Sequence, residues 1–187
     1  IAAQTLTFNR QSNVRGQASV SSLLNSVLAL YRPRLTNSKI AIERRYQNTA
    51  PIVCFPGELR QAFANLIGNA FDATRKGGRI ILCERYAVHP KTGQDGIRIT
   101  VADTGDGMSA EVKAHLFEAF HSTKGMQGTG LGLWISKGIV DRHSGSIRVR
   151  SSTRLGRSGT VFSIFLPRDP RQGLEPAPAS LQNTGTG

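Results

Sequence analysis

The sequence predicts an α+β fold, a two-layer sandwich of about three helices on a mixed, largely antiparallel sheet. Three observations carry that expectation. Apolar residues recur at helical spacing in three separate stretches. Roughly five to six other stretches alternate, or run apolar over the length of a strand. Most of the strand candidates are joined by turn-forming residues, which favours hairpins and helices gathered on one face.

The elements follow in order. From about residue 19 to 31, Val20, Leu23, Leu24, Val27, Leu28 and Tyr31 mark one helical face, and Pro33 should end or kink that helix. Ile40, Ile42, Arg44 and Tyr46 alternate as a half-buried strand does, and residues 52–55 form a short apolar strand candidate. Pro56, Gly57 and Glu58 open a second helix, expected to run to about Arg75 and to stop at Gly77 and Gly78. Residues 79–87 and 97–102 read as strands around a loop rich in Pro, Lys, Gly and Asp. Residues 109–119 suggest a short helix and turn, 131–143 a third long helix, and 145–152 with 160–166 a closing hairpin. Residues 1–18 are polar and read as the end of a preceding element, 19–167 as the folded domain, and 168–187 as a tail too poor in apolar residues to order itself.

Composition narrows the function classes. The 187 residues contain no run near the ~18 apolar residues of a membrane span, and the N-terminus carries no signal-peptide pattern, so a cut from a longer chain is expected. Cys54 and Cys83 lack metal-ligand spacing, which suits a reduced, cytoplasmic setting. A full-length protein could still be anchored in a membrane. The net charge of +12 favours anionic partners. The basic residues are scattered and no aromatic residues interleave with them, so neither nucleic acid nor membrane contact is expected.

The chemistry is concentrated in two glycine loops and one helix. Asp103, Gly105 and Gly107 lie in residues 103–108, and Gly128, Gly130 and Gly132 in residues 128–133. Glycine lets backbone approach a ligand closely, successive N–H groups form an anion seat, and a carboxylate beside them can accept from an amino group such as that of adenine. On the second helix Asn65, Asn69, Asp72 and Lys76 share the side opposite the apolar stripe. Asn is a poor interior helix residue. An amide oxygen, however, binds Mg²⁺ without adding charge that repels a polyphosphate.

Together these motifs resemble the sensor histidine kinases. Residues 65–73 resemble their N box, 103–108 the G1 box, 116–124 the F box and 128–133 the G2 box, with Gly159 and Thr160 at the last glycine-rich turn. The resemblance covers about residues 19–167 and implies the Bergerat ATP-binding fold shared with gyrase, Hsp90 and MutL. It implies ATP and Mg²⁺ as cofactors, with Asn69 as the metal ligand and Asn65 supporting metal and phosphates. Asp103 would read the adenine amino group with help from the Thr160 hydroxyl, and Gly105 and Gly107 would let backbone approach the base. Residues 121–129 would form a mobile lid. Lys124, Gly128, Thr129, Gly130, Leu131 and Gly132 would line the phosphates, at the N-terminus of the third helix. Asp72 completes the candidate set.

The reaction is narrowed by what is missing. The Bergerat-fold hydrolases carry Glu one turn before the metal-binding Asn. Here that position is Asn65, a poor general base. The resemblance therefore implies phosphoryl transfer to a histidine. None of His89, His115, His121 and His143 stands in an acceptor context, and residues 6–10 resemble the tail of a dimerisation helix, which places the acceptor upstream of Ile1. The implied partners are the dimerisation and phosphoacceptor domain of the same protein, a second copy in a full-length homodimer, and a response regulator. The alternatives left open are a regulatory nucleotide-binding module and an anti-sigma-type serine kinase of the same fold.

Overall fold

The computed structural model describes residues 14–121 and 130–168 of the chain. Within these residues twelve elements follow one another: β1 (Gly16–Ala18), α1 (Val20–Leu30), α2 (Arg32–Ser38), β2 (Ala41–Tyr46), β3 (Ile52–Cys54), α3 (Pro56–Ala73), β4 (Arg79–Val88), β5 (Asp95–Asp103), α4 (Ala110–Ala114), α5 (Gly132–Arg142), β6 (Ser146–Ser152) and β7 (Gly159–Pro167).

The main sheet has five strands in the order β2-β4-β5-β7-β6. Only the β2–β4 ladder is parallel, so the expected mixed, largely antiparallel sheet is what forms. The three long helices α1, α3 and α5 cover one face, also as expected. Their buried side chains, among them Leu24, Phe63, Leu66, Ile67 and Ile139, meet Ile80, Leu82, Ile99, Val101 and Ile164 of the sheet in one core. Tyr31 links α1 to α3: its ring stacks on Phe71 at 4.8 Å and its hydroxyl donates to the Ala64 carbonyl at 3.1 Å. Gly68 leaves the room, since a Cβ there would stand 2.8 Å from the Tyr31 hydroxyl.

Two elements were not foreseen. Residues 16–18, read from sequence as part of a polar N-terminal segment, form a strand paired antiparallel with β3 in a separate two-stranded sheet. Three residues are too few to show a period. Pro33 does follow the end of α1, but it sits in the first turn of a further helix, α2. Proline is tolerated there because a first-turn N–H has no partner to lose. The short helix expected over 109–119 is confined to α4, capped by the Ser109 side chain. Glu84, fully buried on β4, accepts from the backbone N–H and the hydroxyl of Thr49 and so ties down the connection between β2 and β3.

Candidate nucleotide site

The helix α3 begins at Pro56 and buries Leu59, Ala62, Phe63, Leu66, Ile67, Ala70 and Phe71. Asn65 and Asn69 lie off that stripe, both half-buried, and Asn65 faces α5. The Asn65 amide nitrogen donates to the Gly132 carbonyl at 2.9 Å and to the Ser136 hydroxyl at 3.1 Å. Ser136, fully buried, in turn donates to the Gly132 carbonyl at 2.8 Å. A mid-helix asparagine thus fastens α3 to the first turn of α5, leaving its oxygen as the group that can face a ligand. Asp72, about two turns beyond Asn65, is ion-paired with Arg34 at 2.8 Å, a contact its candidate role did not include.

Strand β5 delivers Asp103 to its end, opposite Ile80 of β4 and Thr160 of β7. Oδ1 of Asp103 accepts from the backbone N–H of Gly105 at 2.9 Å and of Thr160 at 3.2 Å. Oδ2 accepts no hydrogen bond from the described residues. Burial pushes the Asp103 carboxyl above its ordinary value, and the two N–H bonds oppose that shift. One oxygen is therefore locked in place while the other remains an acceptor in a partly desolvated setting, which is the arrangement needed to read an exocyclic amino group.

The glycines of this loop face protein. A Cβ on Gly105 would stand 2.4 Å from the Ala73 carbonyl oxygen at the end of α3. Gly107 has φ +74°, and its Cβ would stand 1.9 Å from the Ser152 carbonyl oxygen. Close backbone approach is the need that sequence reasoning anticipated, but here the approaching groups are α3 and the β6–β7 hairpin. Sequence reasoning missed Ser151. Its hydroxyl donates to the Gly159 carbonyl at 2.9 Å, accepts from the Met108 N–H at 2.8 Å and lies 2.9 Å from the Thr160 hydroxyl. With its own proton given to Gly159, Ser151 can only accept from Thr160, whose oxygen then keeps its lone pairs. Only the register of the closing hairpin, which sets Ser151 opposite Thr160, marks it out.

The phosphate end is partly described. Gly130 has φ +67° and lies against the backbone of Phe120 and His121, so the two ends of the connecting segment meet. Leu131 is the N-cap of α5 and Gly132 its first residue, and the leucine side chain offers no hydrogen bond to that turn. First-turn N–H groups of a helix of this length can form an anion seat. Lys124, Gly128 and Thr129, with most of the expected lid, lie outside the described residues.

The far end of α3 is committed to structure. Glu58 pairs with Arg142 at 3.2 Å. His143, buried, donates Nδ1–H to the Ile139 carbonyl at 2.7 Å and accepts at Nε2 from the Phe55 N–H at 3.0 Å. His89 packs against Phe165 at 5.1 Å, and His115 and His121 stack at 5.4 Å. Among the described residues no group of three His, Cys, Asp or Glu could hold a metal ion, and both cysteines are free.

Residues 56–170, which include α3, β5, α5 and β7, match the family described as histidine kinase-, DNA gyrase B- and HSP90-like ATPases. The chain belongs to this family. The sensory histidine kinase/phosphatase NtrB of Azospirillum brasilense is 32% identical over 176 residues, covering 88% of this chain and 43% of that protein. Sporulation kinase E of Bacillus subtilis is 38% identical over 117 residues, 63% of this chain and 15% of the relative. The catalytic domain of histidine kinase ThkA, in a nucleotide-free form, superposes with a TM-score of 0.72 at 25% identity, covering 85% of this chain and 99% of that domain. The fold is thus that of a histidine kinase catalytic domain. The chain spans less than half the length of these curated relatives. No helix among its described residues is long and apolar enough to cross a membrane.

Proposed function

We propose that this chain is the ATP-binding catalytic domain of a sensor histidine kinase, which donates the γ-phosphoryl group of Mg·ATP to a histidine outside this chain. The observation that carries the reading is Asp103, held by Gly105 and Thr160 through one oxygen and open at the other among the described residues, beside the end of α3, whose Asn65 reaches the N-terminus of α5. This rim offers an acceptor for adenine at one end and N–H donors for phosphate at the other. Asn69 would supply one neutral oxygen to Mg²⁺, whose remaining ligands come from phosphates and water. The bound ion would neutralise charge on the transferring group, while the residues of the chain position the nucleotide.

Transfer is favoured over hydrolysis because Asn65 is spent holding Gly132 and Ser136 and carries no basic group to activate water. The acceptor histidine would lie on a dimerisation segment, with a response regulator as the next partner and a cytoplasmic setting for this domain. One matched structure is a histidine kinase in complex with a response regulator protein. The test mixes this chain with the dimerisation segment of its full-length protein and γ-labelled ATP. Acid-labile, base-stable label on that segment is expected. Intact nucleotide binding with no label would overturn the kinase reading, and acid-stable label would favour a serine kinase.

A further inference from the structure

The face of the five-stranded sheet turned away from the helices has no covering layer among the described residues. A cleft of about 290 Å³ lies on it, flanked by Arg85, Arg98, Arg148 and Arg150, with Thr100 and Ser163 in its floor. The register fixes this layout. Arg85 stands directly opposite Arg98, while Thr100, Ser163 and Arg148 form the adjacent cross-strand row. Like charges directly opposite each other across strands are destabilising. Elsewhere arginines find carboxylates: Arg34 with Asp72, Arg75 with Asp106, Arg142 with Glu58, and Arg45 with Glu43 at the other edge of this face. The four cleft arginines form no ion pair with any described residue.

We propose that this cleft binds an extended acidic segment of a partner protein. Arg148 and Arg150 are alternate residues of β6, so their side chains leave the same face about 7 Å apart. Carboxylates at alternate positions of an extended peptide have that same spacing, and each can take a guanidinium through two hydrogen bonds. Strand β6 is the last of its sheet, so a segment lying along it meets an open edge as well as the arginines. Charged residues often serve only to blunt such an edge. That role does not account for Arg85 and Arg98, which belong to the interior strands β4 and β5. Single-stranded nucleic acid would need exposed rings to stack on; the cleft's Phe165 is only 5% exposed, and His89 is half-buried against it. A membrane surface would need large apolar anchors, and the cleft's exposed apolar side chains are only the small Pro90 and Val161.

The test measures fluorescence anisotropy of a labelled peptide of about twelve residues, alternating Glu and Thr, against the whole chain at low salt. The wild-type chain is compared with R98E/R148E and with R154E/R157E, which carries the same net charge but alters the turn between β6 and β7. Saturable binding is expected, weakened about tenfold or more by R98E/R148E and little by R154E/R157E. The milder R98Q/R148Q pair should fall between, and covers the case in which charge reversal impairs folding. No binding by the wild-type chain, or equal loss in the two reversed pairs, overturns the proposal. So does tighter binding of single-stranded DNA, or of phosphatidylserine vesicles, with the same dependence on Arg98 and Arg148.

Discussion

Asp103 carries a stability cost that its proposed role makes sense of. Its carboxyl is pushed up by burial, so the folded chain holds the proton more tightly than the unfolded chain does. Stability therefore falls as pH rises from the ordinary carboxylate range through the raised value, and the cost is fully present only above that raised value. Asp103→Asn removes the charge yet keeps an oxygen for the N–H groups of Gly105 and Thr160. The variant is expected to melt at or above the wild-type temperature while losing adenine nucleotide affinity by about a hundredfold, because an NH₂ donor then faces the amino group of the base. Calorimetric titration beside a thermal melt separates the two effects, and unchanged affinity would remove Asp103 from the base-reading role. Ser151→Ala should act differently. It strands the Met108 N–H and frees the Thr160 hydroxyl, so a loss of about 1–3 kcal/mol in urea unfolding is expected, with or without nucleotide. Asp103 and Thr160 were legible in the sequence because each belongs to a motif. Ser151 was not, because a serine on an edge strand looks like any solvated residue until the register of the hairpin is known.

The joint between α3 and α5 is held at one end by Asn65 and at the other by His143. Desolvation is the main cause that lowers the pKa of His143; its bond to the Ile139 carbonyl and the nearby Glu58 act the other way, and Arg142 and Arg15 add to the lowering. Protonation would also turn Nε2 into a donor facing the Phe55 N–H. The unfolded chain thus binds the proton more readily, so the joint is at full strength above the ordinary histidine pKa of about 6.5 and weakens as pH falls below it toward the lowered value. Urea midpoints of the wild-type chain should decline over that window. Those of His143→Gln should be lower at pH 7.5 and flatter with pH, and a slope equal to wild type would exclude this histidine as the cause. The long elements around this joint were legible because α3 repeats its buried stripe over 18 residues and α1 and α5 over 11 each. The three-residue strand β1 and the seven-residue helix α2 offered no such repeat. Pairing with β3 and an N-terminal proline decide those two, and the first of these is a long-range contact that no local pattern encodes.

At the scale of the whole molecule, the sheet separates the two proposed anion-binding faces. The helix side carries the proposed nucleotide rim, and the opposite side carries the arginine cleft, so each can be altered without the other. Nucleotide binding should stabilise the entire domain, because a ligand that binds only the folded chain adds RT ln(1 + [L]/Kd), about 2.7 kcal/mol at a hundredfold excess over Kd. The upward shift in melting temperature with ATP should shrink when EDTA removes Mg²⁺, since the polyphosphate then meets the rim with its charge unscreened. Asn69→Asp sharpens the point. Asp is a good Mg²⁺ ligand in general, so a site dominated by the metal would bind more tightly, whereas a site dominated by the phosphates would bind more weakly because a negative charge now stands beside them. The second outcome is expected: a smaller ATP-induced shift in Asn69→Asp, measured against that variant's own ligand-free melting. R98E/R148E, altered on the other face, should keep the wild-type shift. An Asn69→Asp shift equal to wild type would remove this residue from the metal and phosphate end, while leaving Asp103 and the base-reading end to be judged by their own variants.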